Sequence, residues 1–231
     1  IQDCLDSWKK HLPSYEIILW DTKRFNIHEV PWVEQAFNTK KYAFAADYIR
    51  LYALYHHGGI YLDSDVEILK SLDNFLELPY FVGAETSGTI EAAILGAEKG
   101  CDWIKCCLDY YEGRNFIRED GSYDIRMLPE ILNETILRLK PVINMPSGSN
   151  IDDLKKKDLG EAVYVLPKES FSPKVFDSRE VFLTPETHAI HHYQNSWFSH
   201  KAFAYYRTRT LFIKIFGYKA VRSLEKMLLK R

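Results

Sequence analysis

The pattern that decides the fold of this 231-residue chain is carried by Ala46-Asp47-Tyr48-Ile49-Arg50 and Gly58-Gly59-Ile60-Tyr61-Leu62-Asp63-Ser64-Asp65. The first block lies in a run over residues 40–57 that is rich in Ala, Leu and aromatic side chains, which predicts a helix. The Gly-Gly pair predicts the end of that helix, because glycine adopts the left-handed conformation of a helix C-cap. The apolar residues that follow predict a short strand ending in a carboxylate.

Further apolar runs on both sides of this pattern predict an α/β fold. Helices are predicted over residues 1–12, 30–38, 40–57, 101–112 and 126–139, strands over 15–21, 60–63, 66–69, 80–84 and 162–166, and a loop over 141–160. Alternating strands and helices favour a mostly parallel central sheet flanked by helices. In such folds ligands bind beyond the carboxyl ends of the strands, where Asp21 and Asp63 are expected.

Five polar side chains are expected to converge near the predicted turn at Gly58-Gly59. Asp47 and Arg50 are three residues apart on one helix and therefore share a face. Tyr61, Asp63 and Asp65 alternate at the period of a strand and point the same way if the backbone stays extended. Two carboxylates so placed suit Mg²⁺ or Mn²⁺, which prefer oxygen ligands and commonly share them with substrate phosphates.

These two blocks resemble the DXD sugar-binding region of family 32 glycosyltransferases, with weaker similarity at residues 93–97 and 191–197. The resemblance implies a GT-A-type catalytic domain over residues 1–200, whose first strand would precede Ile1. It implies a metal-dependent retaining transferase that moves a hexose from a UDP- or GDP-linked donor. The implied acceptor is a saccharide or a lipid-linked saccharide, as in bacterial capsule or lipopolysaccharide synthesis.

The resemblance also implies residue roles. Asp63 and Asp65 would be the catalytic pair, with Asp65 on the metal directly, Asp63 on it directly or through water, and one of His191 and His192, preferably His192, as a third ligand. The donor would be bound by Asp47, Arg50, Tyr61, Asp21, Ser196 and Trp197. Trp20, next to Asp21, is expected in the core rather than stacked on the nucleotide base.

The last 31 residues differ in charge from the rest of the chain. Residues 201–231 hold nine Lys or Arg and one acidic residue, a net charge of +8, so residues 1–200 carry −10 of the total of −2. Apolar residues recur there at near-helical spacing, which predicts a C-terminal basic amphipathic helix that lies on an anionic membrane surface or packs on the catalytic domain. Nucleic acid is not an expected partner, because the acidic remainder of the chain repels phosphates.

Cysteine usage and hydropathy bear on the compartment. The four cysteines match no zinc-site spacing and no disulfide framework, which predicts free thiols in a reducing compartment. No run of 18 apolar residues occurs. The expected location is therefore the cytoplasm, with peripheral attachment to the inner face of the membrane.

Two other functions fit parts of the sequence. Residues 61–66 also match the first motif of haloacid-dehalogenase phosphatases, for which Lys140 and Asp152-Asp153 would supply the later groups. That family has no use for Asp47 and Arg50. The second alternative is an inactive nucleotide-sugar-binding remnant. The presence of both acids of the predicted metal pair argues against it.

Overall fold

The computed structural model describes residues 1–176, 178–194 and 200–228, which form an α/β chain. The helices are α1 (Gln2–His11), α2 (Pro31–Asn38), α3 (Tyr42–His57), α4 (Asp102–Asp109), α5 (Leu128–Leu139), α6 (Ile151–Lys155), α7 (His200–Phe216) and α8 (Tyr218–Leu228). The strands are β1 (Gly59–Leu62), β2 (Val66–Ile68), β3 (Tyr80–Ala84), β4 (Ile90–Ala97), β5 (Val142–Asn144), β6 (Val163–Val165) and β7 (Ala189–His191). The predicted elements α1 to α5, β1 to β3 and β6 are confirmed, with ends shifted by at most three residues.

The turn between α3 and β1 forms as predicted. Gly58 and Gly59 both have positive φ, +71° and +102°, and the amide of Gly58 donates to the Leu54 carbonyl at 2.8 Å. A Cβ at Gly58 would lie 2.8 Å from the backbone nitrogen of Lys99, so glycine is required here for space as well as for conformation. The turn directs β1 back along α3 and sets the position of the acids that follow it.

The prediction of a mostly parallel sheet is wrong for the part of the chain that the structure describes. β1, β4 and β3 form an antiparallel sheet in that order, and β2 pairs antiparallel with β7. Only β5 with β6, and a bridge from Gly83 to Leu166 between β3 and the end of β6, are parallel. The cause is β4, which was not predicted because its sequence lacks the alternation of polar and apolar residues that marks a half-buried strand. It follows β3 after five residues, and a connection that short permits only antiparallel pairing.

Two other predictions of local structure are corrected. Residues 15–21 form no strand, and Ile17 and Leu19 are 51% and 76% exposed. An apolar run becomes a strand only where a neighbouring strand pairs with its backbone, which composition does not reveal. Residues 141–160 are not all loop, since they contain β5 and α6. The Asn150 side chain accepts the amides of Asp152 and Asp153 and thereby starts α6.

Two apolar clusters cover the two faces of the central sheet. One joins the sheet to α2, α3, α4 and α5 through residues such as Trp32, Leu51 and Trp103. The other lies under α1 and includes Phe75, Phe81 and Phe171. Every residue of β4 is buried, so this strand is the centre of the core.

The helix α1 fixes the strand that follows the acid pair. The indole of Trp8 donates to the Val66 carbonyl at 2.7 Å, and the Ser7 hydroxyl accepts the Ile68 amide at 2.9 Å. These bonds pair backbone groups of β2 that β7 does not use. The turn that holds Asp63 and Asp65 is therefore anchored from both sides of β2.

The tail forms two helices rather than one continuous helix. Gly217, at φ +81°, separates α7 from α8, and Arg209 of α7 pairs with Glu225 of α8 at 2.7 Å. The ring of Tyr206 in α7 lies 5.5 Å from that of Phe176, which connects the tail to the preceding residues. The division into a catalytic domain over 1–200 and a tail over 201–231 stays a prediction.

Two further features concern the cysteines and the helices. All four cysteines are free thiols, with Cys4 and Cys107 buried. Burial raises the pKa of Cys101 to about 11, which keeps this thiol protonated at neutral pH. Among the helices within the described residues, none combines the length and apolar character needed to cross a bilayer.

The close contact between Gly96 of β4 and Phe81 of β3 gives a stability prediction. A Cβ at Gly96 would lie 2.0 Å from the buried Phe81 ring, so Gly96→Ala should lower the free energy of unfolding by about 1–3 kcal/mol. Urea denaturation measures this change. The control is Gly160→Ala, where the nearest atom is an exposed Asp158 oxygen at 3.3 Å and a change within about 0.5 kcal/mol is expected. Equal effects of the two substitutions would contradict the packing described.

Candidate functional site

The acid pair lies where β1 turns into β2. The Asp63 amide continues the β1–β4 ladder by donating to the Ala93 carbonyl at 2.8 Å. The Val66 amide then donates to the Asp63 carbonyl at 3.0 Å, which closes a tight turn over residues 63–66. Asp65 thus reaches the site through this turn, not through the extended backbone that the alternation predicted.

A buried arginine joins the helix to the acid pair. The Arg50 guanidinium lies 3.1 Å from Asp47 Oδ1 and 3.3 Å from Asp63 Oδ1, and it donates to the Ala92 carbonyl at 2.6 Å. Its carbon is 4.6 Å from the centre of the Tyr61 ring. The predicted convergence of Asp47, Arg50, Tyr61 and Asp63 is present, with Arg50 at its centre.

The charges of this cluster depend on burial. Burial lowers the pKa of Arg50, but Asp63, Tyr61 and Asp47 raise it further, so the guanidinium stays charged. Burial raises the pKa of Tyr61 well above its usual range, and its hydroxyl donates to Asp63 Oδ1 at 2.5 Å. Asp63 therefore receives one neutral and one charged donor.

Desolvation dominates the pKa of Asp47. Burial raises its pKa from 3.8 to about 6, which outweighs the opposite effect of Arg50. A carboxyl whose pKa is raised in the folded chain binds its proton more tightly there than in the unfolded chain. Its contribution to stability is therefore present below pH 3.8 and is lost as the pH rises towards 6.

The structure brings His191 rather than His192 to the acid pair. His191 lies opposite Val66 in the β2–β7 ladder, and its Nε2 is 3.6 Å from Asp65 Oδ1. His192 directly follows β7 and points to the opposite face, where its Nε2 lies 2.8 Å from Glu67 Oε2. Successive side chains of an extended segment point to opposite faces, so the two neighbours have different surroundings.

Glu91 is a site residue that sequence reasoning missed. It lies in β4, is 3% exposed, and has Oε2 at 3.1 Å from His191 Nδ1. Burial alone would raise its pKa, but His191 and hydrogen bonds from Ser172 and Ala93 lower it to about 2. Burial would lower the pKa of His191, whereas Glu91 and then Asp65 raise it. An acid inside an apolar strand was the signal available in the sequence.

Three side chains at this site suit a divalent cation. Ligand atoms of Asp63, Asp65 and His191 all lie within 4.8 Å of one another. Ligands bonded to one Mg²⁺-sized ion at about 2.1 Å are at most about 4.2 Å apart, so the three atoms need to close by less than about 1 Å. Two carboxylates and an imidazole nitrogen are donors that Mn²⁺ and Mg²⁺ accept, and these residues therefore fit the predicted metal.

The other predicted donor contacts have different outcomes. The Asp21 side chain accepts the amides of Lys23 and Arg24 at 3.0 and 3.1 Å, so it shapes its own turn. Trp20 is partly buried and packs against Tyr52 and His57 at the edge of the core. Ser196 and Trp197 lie outside the described residues.

The groups that a haloacid-dehalogenase phosphatase would require are engaged elsewhere. Lys140 forms an ion pair with Asp102 at 2.7 Å. Asp152 and Asp153 begin α6, where their amides are capped by Asn150. None of these contacts includes Asp63 or Asp65, so the geometry offers no support for that alternative.

Comparison with known proteins agrees with this site. The family described as "glycosyltransferase sugar-binding region containing DXD motif" matches residues 1–82. Inositol phosphoceramide mannosyltransferase 3 of Schizosaccharomyces pombe is 34% identical over 92 residues, which are 38% of this chain and 26% of that protein. Mannosyl phosphorylinositol ceramide synthase SUR1 of Saccharomyces cerevisiae is 33% identical over 100 residues, 42% of this chain and 25% of that protein.

A solved structure shows a weaker likeness. The PaToxG glycosyltransferase matches 52% of this chain and 44% of its own, with 20% identity and a TM-score of 0.37. The chain spans about a quarter of the length of the two fungal relatives. Asp47, Arg50, Asp63 and Asp65 all lie in the region that the family matches, so this part of the chain is similar to the DXD-containing sugar-binding region of glycosyltransferases.

Proposed function

We propose that this chain is a metal-dependent retaining glycosyltransferase that moves a hexose from a UDP- or GDP-linked donor to a saccharide or lipid-linked saccharide. The main support is the set of three metal-binding side chains, Asp63, Asp65 and His191, next to the buried Arg50 cluster. A phosphatase would need no such cluster, and a remnant would have no reason to keep it.

Asp63, Asp65 and His191 would hold Mn²⁺ or Mg²⁺. A bound divalent cation neutralises the charge that develops on a diphosphate leaving group. Arg50 keeps the Asp63 carboxylate oriented, because Arg50 is buried and is bonded to both Asp63 and the β4 backbone. Asp63 is 28% exposed, so one side of its carboxylate faces the space where the donor would bind.

Asp47 is the best placed residue for binding a sugar hydroxyl. Its side chain is 13% exposed and forms an ion pair with Arg50. A carboxyl with a pKa of about 6 accepts a hydroxyl hydrogen bond when ionised and donates one when protonated. Arg50 is more buried and would act mainly by holding Asp47 and Asp63 in place, and Tyr61 would hold Asp63 through its hydroxyl.

Mannose is the first hexose to test. The two fungal relatives are named for mannosyl transfer to inositol phosphoceramide, and such an acceptor is a lipid. A role in bacterial capsule or lipopolysaccharide synthesis would use the same chemistry on a lipid-linked saccharide. Measuring transferase activity with an inositol phosphoceramide and with a lipid-linked saccharide distinguishes the two acceptor classes.

The tail would place the site near the membrane surface on the cytoplasmic side. Leu211, Phe212, Ile215 and Phe216 of α7 are between 45% and 62% exposed, and no acidic residue occurs in that helix. With the +8 charge of residues 201–231, this apolar patch suits an anionic lipid surface. Peripheral attachment would bring a lipid-linked acceptor within reach of the donor.

Donor binding is expected to require the metal. A ligand present at a hundredfold excess over its dissociation constant stabilises the folded chain by about 2.7 kcal/mol. GDP-mannose or one UDP-hexose should therefore raise the melting temperature with Mn²⁺ and not without it, and Asp65→Asn should abolish the shift. Hydrolysis of phosphomonoesters by the purified protein would instead favour a phosphatase. No shift with any donor would contradict the proposed function.

The two neighbouring histidines give a matched pair of variants. His191→Ala should weaken Mn²⁺ binding by at least about tenfold, because one of three ligands is removed. His192→Ala removes contacts with Glu67 and Lys174, neither of which belongs to the metal cluster, and should leave the Mn²⁺ dissociation constant within about twofold. Isothermal titration with Mn²⁺ measures both. The reverse order would assign the third ligand to His192.

Membrane binding is expected to depend on the exposed face of α7. The full chain should sediment with vesicles of phosphatidylcholine and phosphatidylglycerol, less so at high salt, and not with phosphatidylcholine alone. Phe212→Ser combined with Phe216→Ser should reduce binding several-fold. Phe182→Ser, at a phenylalanine that is 60% exposed outside the tail, is the control. If the tail variant sediments like the parent, the tail does not carry membrane attachment.

A further inference from the structure

A carboxyl group is buried near the start of the central strand β4. Glu91 is 3% exposed, and its Oε1 accepts the Ala93 amide at 2.9 Å. Its Oε2 accepts the Ser172 hydroxyl at 2.6 Å and the Tyr193 hydroxyl at 3.3 Å, and lies 3.1 Å from His191 Nδ1. A charge in such a place is costly unless it is hydrogen-bonded on all sides, and Glu91 meets that condition.

Three separate segments are required to build this network. Glu91 comes from β4, Ser172 from the segment after β6, and His191 with Tyr193 from β7 and the residues after it. Glu91 and His191 are 100 residues apart in the chain. The polar network therefore forms only when β7 has docked against β2, which is also when His191 reaches Asp65.

The contact with Glu91 determines what the other side of the His191 ring can do. Glu91 accepts hydrogen bonds from the Ala93 amide and from the Ser172 and Tyr193 hydroxyls, so its carboxylate is an acceptor and the N–H at His191 Nδ1 donates to it. In the neutral ring Nε2 then has a free lone pair, and it is directed toward Asp65 Oδ1 at 3.6 Å. Two lone pairs that face each other repel, unless a proton or a metal cation lies between them.

We propose that Glu91 is a positioning residue that fixes the ring orientation and the tautomer of His191 for a divalent cation shared with Asp63 and Asp65. Histidines that bind metals commonly donate their other N–H to a carboxylate, and loss of that partner typically weakens metal binding by about 10- to 100-fold. Glu91 has this role only if the cation of the proposed function binds at these three ligands.

A nearby pair of the same chemical type shows what a simple surface contact looks like. Glu67 and His192 lie 2.8 Å apart, but their side chains are 35% and 28% exposed. The Glu91 and His191 side chains are 4% and 13% exposed, and the His191 ring touches that of Tyr193 with centres 4.0 Å apart. Packing holds the buried pair in one orientation, and its histidine belongs to the metal cluster. The half-exposed pair has more freedom, and its histidine is not among the three metal-binding residues.

The test measures the Mn²⁺ dissociation constant of the full chain by titration calorimetry, without any donor. Glu91→Gln keeps the shape of the side chain but removes the charge, and it should weaken Mn²⁺ binding by about 10- to 100-fold. Glu67→Gln is the matched control at the other pair, and it should leave the constant within about twofold. Melting temperatures without metal show whether each variant is folded.

A double-mutant cycle separates positioning from a general structural effect. In the His191→Ala background, Glu91→Gln should change the constant by less than about threefold, because the residue through which it acts is gone. A loss as large as in the parent background would overturn the inference, since Glu91 would then act on the fold. If Glu91→Gln does not fold, Glu91→Asp, which keeps the charge but shortens the side chain, takes its place in the same cycle and should also weaken binding.

The outcomes distinguish this inference from the proposed function. Parental Mn²⁺ affinity in Glu91→Gln, together with lost affinity in Asp65→Asn, would overturn the role of Glu91 and leave the metal site intact. Absence of Mn²⁺ binding by the parent chain would overturn both. If Glu91→Gln weakens Mn²⁺ binding in the parent chain but not in the His191→Ala background, the result would support both the role of Glu91 and the metal site.

Discussion

The burial of one positive charge organises this molecule. Arg50 is 5% exposed, and a guanidinium cannot lose its proton to escape the cost of desolvation. It must therefore keep Asp47, Asp63 and the Ala92 carbonyl in contact at the same time. These three groups come from α3, from the end of β1 and from β4, so a single side chain fixes the helix, the strand and the centre of the sheet relative to the acid pair.

The strand β4 supplies the other half of this arrangement. It is buried along its whole length, and its backbone carbonyls at residues 92 and 93 bond Arg50 and the Asp63 amide. Its Glu91 turns toward the opposite end of the site and bonds His191. Gly96 lets the strand approach Phe81 closely, because any side chain there would overlap the ring. Small residues and one acid thus give β4 both its packing and its polar contacts.

The balance of charge around the site favours a cation. Four acids, Asp47, Asp63, Asp65 and Glu91, face one arginine and one histidine. Arg50 reaches the first two and His191 reaches the last two. Ligand atoms of Asp63, Asp65 and His191 lie within 4.8 Å of one another at the gap between the two acids. A divalent ion would complete a network whose other members are already paired.

The sequence by itself determined the local features whose causes lie within a few residues. The end of α3 at two glycines, the strand that carries the acids, and the shared face of Asp47 and Arg50 all follow from backbone preference and periodicity. The free thiols and the helical tail were also predicted from composition and spacing. These features need no distant partner.

Only the tertiary structure decided which distant segments meet. Pairing of β2 with β7 selects His191 over His192, because a strand presents alternate residues to one face and the register cannot be read from a three-residue strand. The antiparallel sheet depends on β4, whose unbroken burial removes the alternation that marks a strand. Residues 15–21 have the composition of a strand but form none, because no strand among the described residues pairs with them. Glu91 acquires a function from His191, 100 residues away, and contacts at that separation are set by packing, not by local sequence.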